Sequence, residues 1–195
     1  EKEPLFIEDC MRFLDNVLEN YIQTAPNCMN RACYSAGRER SVGLGVMGFH
    51  SFLQSLNIPI ESVMSKVWNN RIFKLIKIEA DRASKLLAQE KGACHDAKVC
   101  GIEERFSNKI AIAPTATISI IAGGASPGIE PYAANAYTHK TLSGSFLVKN
   151  KFLETLLEQK GKNDESIWAS ILHTEGSVQH LDFLTKEEKD VFKTA

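Results

Sequence analysis

The residues best suited to chemistry lie in one short stretch, Pro114-Thr115-Ala116-Thr117-Ile118-Ser119. It continues Lys109-Ile-Ala-Ile-Ala113, which reads as a short strand running into Pro114. A strand that ends in proline and passes into small hydroxyl residues at a helix start leaves backbone N–H groups without intrahelical acceptors. Those amides and the helix dipole suit an anion such as phosphate, and Thr115, Thr117 and Ser119 can add hydroxyl donors. The same residues would equally serve as plain threonine N-caps, and spacing does not separate the two readings.

Other candidates carry less. Gly43-Leu-Gly45-Val-Met-Gly48 has the glycine spacing of a dinucleotide-binding loop. That loop requires a buried strand before it and an acidic residue about twenty positions on, at the end of a second strand. Here Arg38-Glu-Arg-Ser41 precedes it, so the glycines are expected to let a helix start pack closely against a neighbour. Gly128-Ile-Glu130-Pro131 is a charged turn, in which Glu130 could be an acid–base group, an arginine partner or a solvated charge. His50, His139, His173 and His180 have no nucleophile or carboxylate at a telling spacing. Cys10, Cys28, Cys33, Cys94 and Cys100 form neither a zinc nor a redox spacing, and reduced thiols without metal are expected.

The elements that must position these residues are mostly helical. Phe6, Cys10, Phe13, Leu14, Val17, Leu18 and Tyr21 recur at helical spacing, and Pro26 ends that helix. Residues 27–41 read as polar and irregular, with Arg31, Arg38 and Arg40 as a local basic cluster. A second helix is predicted from Gly45 to Leu56. A third, capped by Ser62, carries Val63, Val67, Ile72, Leu75, Ile76, Ala80, Ala83 and Leu87 on its apolar face and ends near Gly92. Residues 93–108 read as a connection with a helical turn at 101–106, and residues 123–128 as a glycine-rich loop. Residues 141–148 read as extended. Helices follow at 150–159 and 166–172, and a last one opens at Thr185 with Glu188 completing a capping box.

Composition sets the outer bounds. The chain has 195 residues, 44% apolar and 24% charged, which is ordinary globular usage. Lys plus Arg number 23 against 24 Asp plus Glu, for a net charge of -1, so the strongly basic surface of a general nucleic-acid binder is missing. No apolar run approaches the roughly 18–20 residues that span a bilayer. The chain opens Glu-Lys-Glu-Pro and stops within a helical pattern, so residues 1–195 are expected to be one partial domain truncated at both ends.

A resemblance extends this reading. Ile112-Ala-Pro-Thr-Ala-Thr-Ile-Ser119, Ser126-Pro-Gly-Ile-Glu-Pro-Tyr132, Asn135-Ala-Tyr137 and Leu142-Ser-Gly-Ser-Phe146 resemble the large, catalytic subunit of class I ribonucleotide reductase. Arg40-Ser-Val-Gly-Leu-Gly-Val-Met-Gly48 is similar to that family's glycine-bearing segment. Glu90-Lys-Gly-Ala93 and the ending from Gly176-Ser-Val-Gln179 to Lys193-Thr194 also fit, so the likeness covers nearly the whole chain.

The resemblance implies an α/β fold, a helix-rich fragment of the family's ten-stranded α/β barrel. It implies a share in reducing ribonucleoside diphosphates to deoxyribonucleoside diphosphates for DNA synthesis by thiyl-radical chemistry. The family's diphosphate-binding loop maps onto Pro114, Thr115, Ala116, Thr117 and Ile118. Some relatives carry a carboxylate where this chain has Ala116, and its absence leaves less negative charge beside a diphosphate. The family's Asn-x-Cys-x-Glu radical segment, paired tyrosines and cysteine-rich tail are not in this sequence, so no catalytic residue is assigned and the segment alone is expected to be inactive.

The implied partners are the ribonucleoside diphosphate, the remainder of the large subunit, a radical-generating small subunit with a metal-radical cofactor, and thioredoxin or glutaredoxin as reductant. A homodimer of the full subunit, ATP and deoxynucleotide effectors acting on an amino-terminal region, and a cytoplasmic location complete the picture. No membrane, nucleic acid or cofactor in this segment is expected. The alternatives are a segment of a cobalamin-dependent (class II) reductase and a non-catalytic interaction module built on the barrel scaffold.

Overall fold

In the computed structural model, which describes residues 5–142 and 144–195, helix α1 spans Phe6–Thr24 and stops where Pro26 restricts the preceding Ala25 to an extended conformation. Of the apolar stripe expected to face a core, Phe6, Phe13 and Val17 are exposed, and Cys10, Leu14, Leu18 and Tyr21 are only half-buried. The buried face is Glu8, Met11 and Asp15. An ion-pair face took the inner position because its partners lie on distant segments, which helical periodicity does not report.

Two compact units are distinguished by their contacts. One runs to Gly45 and resumes over Asn69–Ile112; the other comprises Val46–Trp68 and Ala113–Ala195. In the first unit, α2 (Asn30–Glu39) occupies part of the stretch expected to be irregular. Its low apolar content removes the periodic signal, yet Ala, Arg and Glu are good helix formers. Arg38 on α2 pairs with Asp96 at the start of α5 (His95–Val99), the short helix that replaces the turn expected at 101–106.

The long helix α4 (Val63–Lys91) ends at Gly92, whose φ of 89° is easily adopted without a side chain. Its inward residues Ala80, Ala83 and Leu87 pack with Met11 and Phe106, while Val63, Val67 and Leu75 of the expected apolar face are exposed.

Beside this core sits Asp15, fully buried. Its Oδ1 accepts from Arg40 Nη2 at 2.7 Å and Arg105 Nε at 2.9 Å, and its Oδ2 accepts from Lys91 Nζ at 3.0 Å. Arg40 Nη1 also donates to Glu19 at 2.7 Å, and Arg105 Nη1 to the carbonyls of Lys91 and Gly92. Burial alone would push the Asp15 carboxyl up, but the bonds from Arg105, Lys91 and Arg40 outweigh it and hold the carboxyl below its ordinary value.

The expected strand at Lys109–Pro114 is reduced to one parallel bridge, Leu44 with Ile110. Val42 and Leu44 N–H donate to the Asn108 and Lys109 carbonyls at 3.0 and 2.9 Å. Glycines permit this approach: a Cβ on Gly43 would stand 2.8 Å from Ala111 Cβ, and one on Gly45 would strike the Ala111 carbonyl oxygen. Close packing is thus their role, against an extended segment rather than at a helix start. Helix α3 begins later than expected, at Phe49, and ends at Ser55.

The second unit contains α3, the short helix α6 (Ala116–Ile121), and an antiparallel hairpin of β1 (Ala136–Thr141) and β2 (Gly144–Lys149) in register Ala136↔Lys149 to Thr141↔Gly144. The extended region therefore starts earlier than residue 141. Helices α7 (Lys151–Gln159), α8 (Glu165–His173) and α9 (Lys186–Val191) complete the unit. Asn150 and Asp164 cap α7 and α8, and Thr185 with Glu188 forms the expected capping box on α9.

Leu153, Leu157, Trp168, Ile171, Val178 and Phe192 belong to this unit's apolar core. The last helix does not run off the chain: it stops at Val191, Phe192 is buried, and the Ala195 N–H donates to the Tyr132 carbonyl at 3.1 Å.

The Asp15 cluster yields a stability prediction. Asp15→Ala leaves two buried guanidinium groups short of their carboxylate and is expected to destabilise the chain by about 3–5 kcal/mol. Glu19→Ala, which removes a half-exposed partner, should cost about 1 kcal/mol or less. Urea unfolding of both variants checks the contrast; equal losses would contradict Asp15 as the centre of the cluster.

Candidate functional site

The loop singled out by sequence lies wholly in the second unit. Pro114, Ala116, Thr117 and Ile118 are exposed, and Thr115 is half-buried. Thr115 has a φ of 52°, an uncommon conformation for a β-branched residue. The Ser119 N–H donates to the Thr115 carbonyl at 2.9 Å, so the amides of Ala116, Thr117 and Ile118 precede the first intrahelical bond of α6.

The hydroxyl groups divide their work differently from the simplest expectation. Thr115 occupies the N-cap position but its side chain makes no capping bond; its Oγ1 accepts the Gly128 N–H at 2.8 Å. Plain N-capping by Thr115 is therefore not what the residue does. Ser119 is buried, and its Oγ donates to the Ala116 carbonyl at 3.2 Å. Thr117 alone of the three is exposed.

A polar cluster stands behind this loop, and sequence reasoning did not find it. Ser126 is fully buried; its N–H donates to Ser51 Oγ at 2.7 Å, and its own Oγ accepts the Ser51 N–H at 3.1 Å. The Ser126 carbonyl accepts the Gly48 N–H at 2.8 Å. Tyr132 Oη donates to the Gly124 carbonyl at 2.7 Å and lies 2.7 Å from Ser51 Oγ, whose proton it therefore accepts. Burial pushes the Tyr132 phenol up, reinforcing its role as a donor.

His50, fully buried on α3, accepts the Tyr132 N–H at Nδ1 over 2.9 Å, which leaves the ring proton on Nε2. Burial drives its pKa down to about 4. A second layer of amides continues the network: Asn150 Nδ2 donates to Gln54 Oε1 and Asn135 Oδ1, each at 2.9 Å.

Beside α6 opens a cavity of about 240 Å³ whose wall is mostly apolar and includes Ala116, Ile120, Tyr132, Tyr137 and Val148. Glu130 is exposed in its turn, with its N–H on the Pro127 carbonyl at 3.2 Å. His180 Nε2 lies 2.6 Å from Ser170 Oγ, but its Nδ1 faces Thr174 Oγ1 at 3.3 Å rather than a carboxylate, so no triad forms. All five cysteines are free thiols, and among the described residues no group of His, Cys, Asp and Glu is arranged to hold a metal. Among the described residues no helix is long and apolar enough to cross a membrane.

Known proteins resemble this chain in sequence and in fold. The family profile described as "Ribonucleotide reductase, barrel domain" matches residues 6–103 and 97–195. The ribonucleoside-diphosphate reductase large subunits of Invertebrate iridescent virus 6 and Invertebrate iridescent virus 3 are 46% and 45% identical, over 98% and 97% of this chain and 20% and 30% of their own lengths. The vitamin B12-dependent ribonucleoside-diphosphate reductase of Thermoplasma acidophilum is 35% identical over 80% of this chain and 21% of its own. The solved structure of the Actinobacillus ureae class Id ribonucleotide reductase alpha subunit aligns with a TM-score of 0.87 at 42% identity, over 97% of this chain and 34% of that one. The chain thus spans about a fifth to a third of the length of these relatives.

The buried imidazole sets a pH dependence. Its folded pKa of about 4 lies below the ordinary 6.5, so below pH 6.5 the unfolded chain takes up a proton that the folded chain refuses. Stability is fully present above about 6.5, falls as pH drops towards 4, and levels below that, a loss on the order of 3 kcal/mol. Denaturant titrations at pH 7, 5.5 and 4 should show this component in the natural chain and not in His50→Asn. Parallel pH profiles for the two would contradict it.

Proposed function

This chain belongs to the ribonucleotide reductase barrel-domain family, and from that membership we propose that it supplies the substrate diphosphate-binding loop of a ribonucleoside-diphosphate reductase. It corresponds to part of the class I large subunit, and its helix-rich α/β fold is a fragment of that subunit's barrel. On this reading residues 1–195 are part of a single barrel domain, and Pro114, Thr115, Ala116, Thr117 and Ile118 hold the diphosphate.

The observation that carries the reading is the exposed first turn of α6, where the amides of Ala116, Thr117 and Ile118 precede the helix's first internal bond. Amides in that position, together with the helix dipole, stabilise a phosphate without a side-chain cation. Thr117 adds a hydroxyl donor. Thr115 contributes through its backbone, its Oγ1 being held by Gly128.

The complete enzyme would reduce ribonucleoside diphosphates by thiyl-radical chemistry with residues that lie elsewhere in the large subunit. Its partners would be the remainder of that subunit, a second copy of it, a small subunit bearing the metal-radical cofactor, and thioredoxin or glutaredoxin. ATP and deoxynucleotides would regulate it at the amino-terminal region, in the cytoplasm. Class I is preferred over the cobalamin-dependent class because the viral large subunits are 45–46% identical, against 35% for the B12-dependent relative.

Thr117→Val keeps size and branching and deletes one donor. In the reductase holoenzyme that contains this chain, it should weaken nucleoside diphosphate binding by about 1.5 kcal/mol or more, roughly tenfold, the worth of a hydrogen bond to a charged group. Equilibrium binding of ADP or CDP measures it, and an unchanged affinity would sink the assigned loop.

A further inference from the structure

A six-residue helix cannot set its own orientation. Helix nucleation costs more than one turn of hydrogen bonds returns, so α6 depends on what holds its ends. Both ends are held by the same following segment. At the start, the Gly128 N–H donates to Thr115 Oγ1 at 2.8 Å; at the end, Tyr132 Oη donates to the Gly124 carbonyl at 2.7 Å. That segment is in turn fastened to α3, by the Tyr132 N–H on His50 Nδ1 at 2.9 Å and by the reciprocal pair of Ser51 and Ser126. Ser51 Oγ completes the link by bonding Tyr132 Oη at 2.7 Å.

We infer that His50, Ser51 and Tyr132 are positioning residues for substrate, fixing the Thr115–Ile118 turn so that its amides meet the diphosphate. The inference rests on the diphosphate reading above and deepens it, since none of the three belongs to the loop. Two features separate this from ordinary core packing. The ties end on the N-cap Thr115 and on Gly124 in the turn that follows α6, and Thr115 is kept at a φ of 52° that a free loop would abandon. The buried groups also fit one another in donor and acceptor sense. Tyr132 donates to Gly124 while accepting from Ser51, and Ser51 accepts from Ser126. Loss of one hydroxyl therefore leaves two groups unmatched.

The test uses the reductase holoenzyme containing this chain with Tyr132→Phe, His50→Leu and His50→Asn, and Thr117→Val as the direct-contact control. Dissociation constants are measured for a nucleoside diphosphate and for the corresponding monophosphate, along with KM and kcat for the diphosphate. Tyr132→Phe and His50→Leu are expected to weaken the diphosphate about five- to tenfold, the scale of one hydrogen bond. The monophosphate should move much less, and KM should rise more than kcat falls. His50→Asn, whose Oδ1 can accept where Nδ1 did, should restore the natural value.

Equal weakening of both nucleotides in Tyr132→Phe would mean a merely structural role and overturn the inference. So would unchanged diphosphate binding in Tyr132→Phe while Thr117→Val binds it more weakly, and in that case the loop reading survives. If Thr117→Val binds normally, the loop reading falls and this inference with it. Should His50→Leu fail to fold, Tyr132→Phe decides alone, because it removes one oxygen and no packing volume.

Discussion

The bond from the Gly128 amide to Thr115 Oγ1 connects the loop to everything behind it. A short helix offers an anion its free amides only while its first turn stays put, and α6 is too short to ensure that itself. The threonine that would ordinarily cap the helix is used instead as the acceptor in a tie to the next turn. Its backbone is in the left-handed conformation. The cost of that conformation, of order 1–3 kcal/mol, has to be offset by neighbours that leave no alternative. Ser126, Tyr132 and α3 supply them.

The two units solve the burial of polar groups in opposite ways. In the first, the carboxylate of Asp15 is taken fully out of water and matched by Arg40, Arg105 and Lys91. Such a cluster is unforgiving, because any one member left alone is a buried charge. In the second, the buried groups near the loop are neutral: Ser51, Ser126, Asn135, Asn150, Gln54 and a His50 held uncharged. Neutral networks suit the proposed diphosphate loop, since they fix geometry without adding a field of their own. No described buried side-chain polar atom lacks a partner.

What was legible in the sequence was local. Pro26, Gly92, Asn150 and the Thr185–Glu188 box mark helix ends because capping and dihedral preference act over three or four residues. The glycines at 43 and 45 were readable as close-packing positions once their strand context failed the dinucleotide pattern. Non-local choices were not readable. Helix α1 turned its ion-pair side inward because Arg40, Lys91 and Arg105 are 25 to 90 residues away. Helix α2 showed no apolar period, and the stretch at 109–113 had one bridged neighbour where its pattern suggested a strand. At the site, the loop itself was visible, since strand end, proline and hydroxyls are contiguous. The ties were not: His50 and Tyr132 stand 82 positions apart, and a lone histidine in an apolar helix looks like core.

The division between loop and support also bears on how charge is handled. A lysine or arginine beside a diphosphate would bind it strongly in any geometry near contact, since a point charge is tolerant of direction. Backbone amides are directional, and their attraction weakens steeply as the donor angle departs from linearity. A site that relies on amides therefore needs a rigid frame more than a site that relies on cations does. The five residues Pro114–Ile118 contain no charged side chain of either sign. Directional donors on an exposed turn, with buried neutral ties behind each end, are a consistent pair: the first is of use only if the second exists. Ser119, expected to add a donor, instead gives its hydroxyl proton to the Ala116 carbonyl within the same turn. In the proposed loop that hydroxyl braces the turn, and the exposed hydroxyl is left to Thr117.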